Sequence, residues 1–204
     1  MGDDQEEWKN NHEHEFLKRQ LKKNRLDIKS SYHKIIRTEQ GKQLLDNVSN
    51  LLVNDLNVVV YNFVDMLSHA RTDMEMIREL APDESAYRSI TKSWFLHSPL
   101  LDLFKRLARE PVKVMVATDH GTIRVKRPAN FDNNRVFAVR LHEDLHLPRI
   151  NESTTYAFAT QDYFFAYPNN YNYYVNYYRD TFQHGGVSLE EMIVPLVTLV
   201  PKNA

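Results

Sequence analysis

The sequence predicts an α/β fold: a mostly parallel sheet flanked by helices, with an N-terminal helical segment. Three observations carry that expectation. Two dense apolar runs, Leu56–Phe63 (LNVVVYNF) and Val112–Ala117 (VKVMVA), are rich in β-branched residues, as suits central strands covered on both faces. The chain between them is patterned as helix, which gives the strand–helix–strand order of a parallel crossover. Hydrophobic residues make up 42% of 204, enough for the core of one domain.

Each element follows from local pattern. Residues 5–24 are charge-rich, with Trp8, Phe16, Leu17 and Leu21 at helical spacing, which predicts an amphipathic helix. Residues 31–37 (SYHKIIR) suit a short strand. Thr38 is placed to cap a helix running to about Leu52, with Glu39 in its first turn. After the Leu56–Phe63 strand, residues 66–80 read as helix, Pro82-Asp83 as a break, and Glu84–Arg109 as one or two helices interrupted near Ser98-Pro99. Beyond the Val112–Ala117 strand, residues 122–166 alternate short strand-like runs with loops, as at Arg135–Leu141 and Tyr156–Phe158. Tyr171–Phe182 is a Tyr- and Asn-rich helix or irregular segment. Ser188 with Glu191 three residues on forms a capping box for a short helix, and Pro195–Val200 is a last strand. No repeat or low-complexity linker marks a domain boundary.

Composition excludes several classes. A formal net charge of -1 gives neither a basic nucleic-acid footprint nor an acidic tail. With no cysteine, disulfides and thiolate metal sites are ruled out, so a metal must sit on His, Asp or Glu. The N-terminus MGDDQEEWKNNHEHEF has no secretory pattern, and Glu6 stands where a myristoylated Met-Gly start carries Ser or Thr. The apolar runs Val58–Tyr61 and Ile193–Val200 are far too short to span a bilayer. The expectation is a cytoplasmic protein with no membrane partner.

Three places join polar residues to apolar strands, where open α/β sheets bind ligands. Asp65 and His69 lie one helical turn apart, so a carboxylate and an imidazole can share one divalent ion. The plainer alternative is a helix N-cap with a surface His. Asp119-His120-Gly121 directly follows Val112–Ala117 and is either a ligand pair at a strand end or an ordinary polar turn. His184 precedes Gly185 and Gly186, two of only five glycines, in a loop that leads either to a site or simply to the capped helix. Together, two Asp and three His near strand ends form a plausible two-metal oxygen/nitrogen set.

Other candidates carry less. His142 and His146 are spaced for zinc but lie in a charged, solvated stretch. His12 and His14 sit in a polar helix and read as surface. Tyr171–Tyr178 (YNYYVNYY) suits base stacking or a packed face with hydroxyls reaching water. Arg124, Lys126 and Arg127 suit a phosphate contact or a plain basic strand.

The order Asp-x-x-x-His, then Asp-His-Gly after a strand, then His-Gly-Gly near the C-terminus resembles the metal-ligand order of the alkaline phosphatase superfamily. The stretches NFVDMLSHARTDM, ATDHGTIRV, ATQDYFFAYPNNYNYYVNYY and FQHGGVSLEEMIVPL resemble the PglZ domain of PorX-type response regulators, which carry a receiver domain ahead of it and are linked to type IX secretion. The resemblance implies an alkaline-phosphatase-like core and two zinc ions, with Asp65, His69 and His184 on one and Asp119 and His120 helping to hold the second. It also implies an Asp at the end of a first strand and a Thr or Ser nucleophile at the next helix, both upstream of Asp65. Residues 1–64 offer no such element; Thr38 is their single threonine and follows no strand-Asp.

The resulting expectation is a partial PglZ domain over 1–204. Residues 1–50 are a helical segment and 51–204 an α/β metal-binding core, with the receiver domain and first catalytic strand absent. In the complete family domain the implied activity is zinc-dependent hydrolysis of phosphodiesters or phosphate esters, with cyclic and linear oligonucleotides as substrates. This chain alone is expected to be inactive. The alternative is a non-catalytic signalling or interaction module that acts through dimerisation or nucleotide binding. A third reading, a metal-free α/β domain, predicts that Asp65, His69, Asp119, His120 and His184 lie far apart. A homodimer or the missing N-terminal part is the expected partner, because a truncated sheet exposes its edge and apolar surface.

Overall fold

The structure, a computed structural model, describes residues 12–128, 137–140, 155–159, 163–168, 171–173 and 179–201. The chain divides into two compact units. The first comprises residues 1–64, 89–112 and 201–204, the second residues 65–88 and 113–200.

In the first unit, helix α1 (Glu13–Lys23) leads into strand β1 (Ser30–Ile35), helices α2 (Thr38–Asp46) and α3 (Val48–Leu52), and strand β2 (Leu56–Tyr61). β1 and β2 pair in parallel, from Ser30 opposite Leu56 to Ile35 opposite Tyr61. This is a strand–helix–strand unit, but not the expected one, which joined Leu56–Phe63 to Val112–Ala117. Thr38 is not the cap. It is the first helical residue, and Gln40 Oε1 accepts from Ile36 N (2.8 Å) and Arg37 N (2.9 Å), closing the helix start one residue earlier. Helix α4 (Phe63–Asp73) then begins, and its first two residues belong to this unit; so do residues 89–96 of α6 (Glu84–Leu96) and all of α7 (Pro99–Leu107).

Apolar burial holds this unit together. Ile35, Leu44, Val48, Leu51 and Leu103 form its core, with Leu45, Val59, Tyr61, Leu100 and Leu107 packed against them. Each fully buried aliphatic side chain contributes roughly 1.5–3 kcal/mol. Phe63 stacks flat on Trp94, with ring centroids 4.2 Å apart.

The second unit takes α4 from Asp65, helix α5 (Glu75–Leu80) and the start of α6. It then takes strands β3 (Val114–Ala117), β4 (Ile123–Arg124), β5 (Arg127–Pro128), β6 (Phe137–Arg140), β7 (Thr155–Ala159), β8 (Tyr163–Pro168), β9 (Asn172–Tyr173) and β10 (Phe182–Gln183). Helix α8 (Leu189–Met192) and strand β11 (Leu196–Leu199) complete it. The predicted strands at Arg135–Leu141, Tyr156–Phe158 and Pro195–Val200 correspond to β6, β7 and β11. The described residues of the Tyr171–Phe182 segment hold β9 and the start of β10; residues 174–178 lie outside the described ones.

The fold is mixed α/β, and the expectation of a mostly parallel sheet is corrected. Among the described residues there are five small sheets. β1–β2 and β5–β9 are parallel, whereas β3–β11, β4–β10 and β6–β8–β7 are antiparallel. β3 pairs with the late strand β11, Leu196 opposite Ala117, and not with β2. The expected burial of Val112–Ala117 also fails: Met115, Val116, Leu196, Val197, Leu199 and Val200 are all exposed. An apolar run reports what a strand is made of, not whether a neighbour covers it. No helix among the described residues is long and apolar enough to cross a membrane.

Candidate metal centre

All five predicted ligands fall in the second unit, at three places: α4, the turn after β3 and the turn after β10. α4 starts at Phe63, so Asp65 sits in the first helical turn, neither at the end of a strand nor at the N-cap. One turn on, His69 shares its face. Asp119 and His120 follow β3 directly, and His184 follows β10 directly.

Folding brings Asp65, His69 and His184 together, with one donor atom from each lying within 4.8 Å of the others. His69 Nε2 is 3.5 Å and His184 Nε2 3.7 Å from the same atom, Asp65 Oδ1. That oxygen is shielded from water and has no hydrogen-bond partner; both nitrogens stand too far off for a good bond. Ligands about 2 Å from a tetrahedral ion lie roughly 3.3 Å apart, so the spacing is that of donors around a small cation. The reading in which the five residues are scattered is overturned for these three.

His120 joins the cluster through its ring. It stacks on His184 with centroids 3.9 Å apart and planes within 12°, and the His69 ring stands edge-on to His184 at 5.9 Å. His120 Nδ1 lies 3.0 Å from the Gly121 carbonyl. A carbonyl only accepts, so Nδ1 donates this bond, and Nε2 lies 3.7 Å from Asp119 Oδ1. The Asp119 side chain itself is 89% exposed.

The electrostatics suit a cation. The polar contact with His69 holds the Asp65 carboxyl below its ordinary range; burial opposes this, and positive charge on His69, and on His184 and His120 when protonated, adds to it. Burial, followed by the neighbouring His120, lowers the pKa of His184 and keeps its ring neutral. A carboxylate and neutral imidazoles are the forms in which these side chains bind metal. With an orphaned buried carboxylate oxygen and all-N/O donors, the residues present fit a divalent ion such as zinc.

Hydrogen bonds hold the ligand-bearing loops. Glu191 of α8 is buried, and its carboxylate accepts from Gly186 N (3.0 Å), Ser188 N (3.1 Å) and Ser188 Oγ (2.6 Å). This is the predicted capping box, extended to the His-Gly-Gly turn. The Glu191 carbonyl accepts from Gly121 N at 2.9 Å, tying the His120 loop to the same helix. A Cβ on Gly121 would stand 1.8 Å from the Glu190 carbonyl oxygen, so the close approach requires glycine. Gly185 turns in the left-handed region at φ 88°.

The chain's likeness to known proteins points the same way. The profile of the BREX system PglZ alkaline phosphatase-like domain matches residues 2–143 and 132–199. The chain belongs to the PglZ family. No curated protein matches it. Alkaline-phosphatase-like domains are generally metal-dependent, which agrees with the donor cluster of this PglZ chain.

The remaining candidates separate. The Arg124 fork is engaged by Asp180, Nε to Oδ1 at 2.7 Å and Nη2 to Oδ2 at 2.8 Å, and the Lys126 ammonium lies 5.3 Å from the Tyr171 ring centroid. His14 is not a plain surface residue: its ring stacks on Tyr32. His12 begins α1 as its N-cap. His142, His146 and the Arg127 side chain lie outside the described residues. Sequence reasoning missed Arg71, buried at 1% exposure; a lone Arg in an amphipathic helix gives no sign of being buried.

Proposed function

We propose that this PglZ chain carries the metal-binding part of a phosphoester-hydrolysing centre, in which Asp65, His69 and His184 hold one zinc ion and Asp119 and His120 contribute to a second. The observation that carries the reading is Asp65 Oδ1, buried and without a hydrogen bond, with two imidazole nitrogens 3.5 and 3.7 Å away. A zinc ion bound there would polarise a phosphoryl oxygen and offset negative charge on the departing oxygen. Asp65 supplies the anionic ligand, His184 a neutral nitrogen within the fold, and His69, 60% exposed, leaves the cluster reachable from solvent. The Gly121 carbonyl fixes the tautomer of His120, so its Nε2 faces Asp119. Phosphodiesters, including oligonucleotides, are the proposed substrates. The four stretches resembling PorX-type regulators support a place in cytoplasmic two-component signalling linked to type IX secretion.

Elemental analysis of the purified chain beside His184→Ala and Asp119→Ala tests this. Near-stoichiometric zinc in the wild type, lost in His184→Ala, is expected; zinc retained in Asp119→Ala alone would reduce the site to one ion. A folded wild type without metal after zinc addition and dialysis would overturn the reading. A second reading, a signalling module that acts by dimerising or by binding nucleotide without turnover, is favoured by one observation: β1 runs into Thr38, at the start of α2, through Ile35, Ile36 and Arg37, with no carboxylate at the strand end. Turnover of a chromogenic phosphodiester by the zinc-loaded chain would exclude it.

A further inference from the structure

Arg71 lies on α4, the helix that presents Asp65 and His69, and it is 1% exposed. Among the described residues it has no direct carboxylate partner. Its Nε donates to the Ala81 carbonyl (2.6 Å), Nη2 to the Pro82 carbonyl (3.2 Å) and Nη1 to the Asp180 carbonyl (2.9 Å). The Phe182 ring, in β10, which His184 directly follows, lies 4.7 Å from its Cζ. A buried guanidinium satisfied only by carbonyls and a ring face is costly for stability alone. Burial, then the charge of Arg124, lowers its pKa, and Asp180 opposes the shift.

Asp180 is where three segments meet. It holds a left-handed backbone, φ 58°, a conformation that costs energy for a residue with a Cβ and concentrates at functional sites. That turn sends its carbonyl to Arg71 and both carboxylate oxygens to Arg124 of β4. Its N–H donates to the Val125 carbonyl at 2.9 Å, and Val125 N donates to the Thr181 carbonyl at 3.0 Å. Asp180 therefore touches α4, which bears Asp65 and His69. It touches β4, which follows the Asp119-His120-Gly121 loop, and it begins the segment that delivers His184.

We propose that Arg71 is a positioning residue for the metal centre: through the Asp180 carbonyl, and through Asp180 to Arg124, it sets the spacing of His184 and His120 against Asp65 and His69. This rests on the metal reading above. A fork that satisfies three carbonyls at fixed angles does what a point charge cannot, so Arg71→Lys keeps the charge and loses the spacing.

The test uses the full chain as wild type, Arg71→Lys, Arg124→Met and Leu103→Ala. The last weakens the first unit's core without touching the site. Zinc affinity is read by competition with a chromophoric chelator. Metal-free histidine ring-proton spectra at fixed pH report the His120–His184 stack through its ring-current shifts. We expect Arg71→Lys to lose about tenfold to a hundredfold in affinity and the ring-current shifts, with a smaller loss in Arg124→Met. Leu103→Ala should lose thermal stability and keep both. If Arg71→Lys does not fold, Arg124→Met, which removes the fork on the Asp180 carboxylate and leaves the Arg71 bond to the Asp180 carbonyl in place, tests the same junction from β4. Wild-type affinity and unmoved ring signals in the folded variants would overturn the proposal. If the wild type binds no zinc, the metal reading fails, and the ring signals still decide whether Arg71 positions the histidines.

Discussion

The two units are held by different forces. The first buries Ile35, Leu44, Val48, Leu51 and Leu103 around a parallel strand pair, and Ser98 is its one buried polar residue among those described. The second buries Ile123, Val125, Phe164, Ala166 and Phe182, and beside them Ser68, Arg71, Thr72, Asn172, Thr181 and Glu191. Apolar packing is non-directional and forgiving of small shifts. A buried polar network is satisfied in one geometry only. The unit that carries the donor cluster is the one built from directional contacts, so its stability and its ligand spacing are expected to move together.

That contrast can be broken or sharpened by four experiments. Leu103→Ala should cost about 2–5 kcal/mol in urea unfolding, with zinc affinity unchanged; a matching loss of affinity would mean the units are not energetically separate. Glu191→Ala leaves the buried Gly186 N–H and the Ser188 cap without their acceptor. It should cost roughly 2–3 kcal/mol and lower zinc affinity in the same protein, read by paired melts and chelator titrations. Gly121→Ala places a Cβ against the Glu190 carbonyl, 1.8 Å away before relaxation, and should cost about 1–3 kcal/mol. Amide exchange should rise in both the His120 loop and α8, and protection confined to one of them would argue against their coupling.

The smallest effect concerns acid. The hydrogen bonds of the Arg124 fork, and then its charge, hold the Asp180 carboxyl below its ordinary range, while burial opposes them. A depressed folded pKa adds stability that is fully present above the unfolded value, near 3.9, and is lost as pH falls through the lower folded value. Asp180→Asn should flatten the acid limb of melting temperature below about pH 4, by less than about 1 kcal/mol because the pair is half-exposed. An unchanged limb would show that the Asp180–Arg124 pair does not carry the acid sensitivity.

What the sequence made legible follows the same divide. Leu56–Phe63 announced β2 because β-branched density is a local property, and Asp65 with His69 announced their shared helical face because four residues make one turn. Asp119-His120 and His184 were found as polar residues beside strands, and the resemblance to PglZ put them in order. Sheet topology was not legible: that β3 pairs with β11 depends on residues about eighty positions apart. Nor was the division into units. The first unit is drawn from three stretches of chain, and one of its boundaries falls inside α4 at Val64, so no linker composition could mark it. Arg71 was invisible because its partners are backbone carbonyls, and backbone carbonyls leave no trace in residue type.

The bond from Arg71 to the Asp180 carbonyl spans 109 residues of chain. Such a contact forms only after a long loop has closed, and loop closure is what slows folding. Helix α4 can form on its own early, whereas His184 reaches Asp65 only once the strands between have taken their places. Loss of the Arg71 contact should therefore speed unfolding more than it slows folding, which stopped-flow measurements on Arg71→Lys would read.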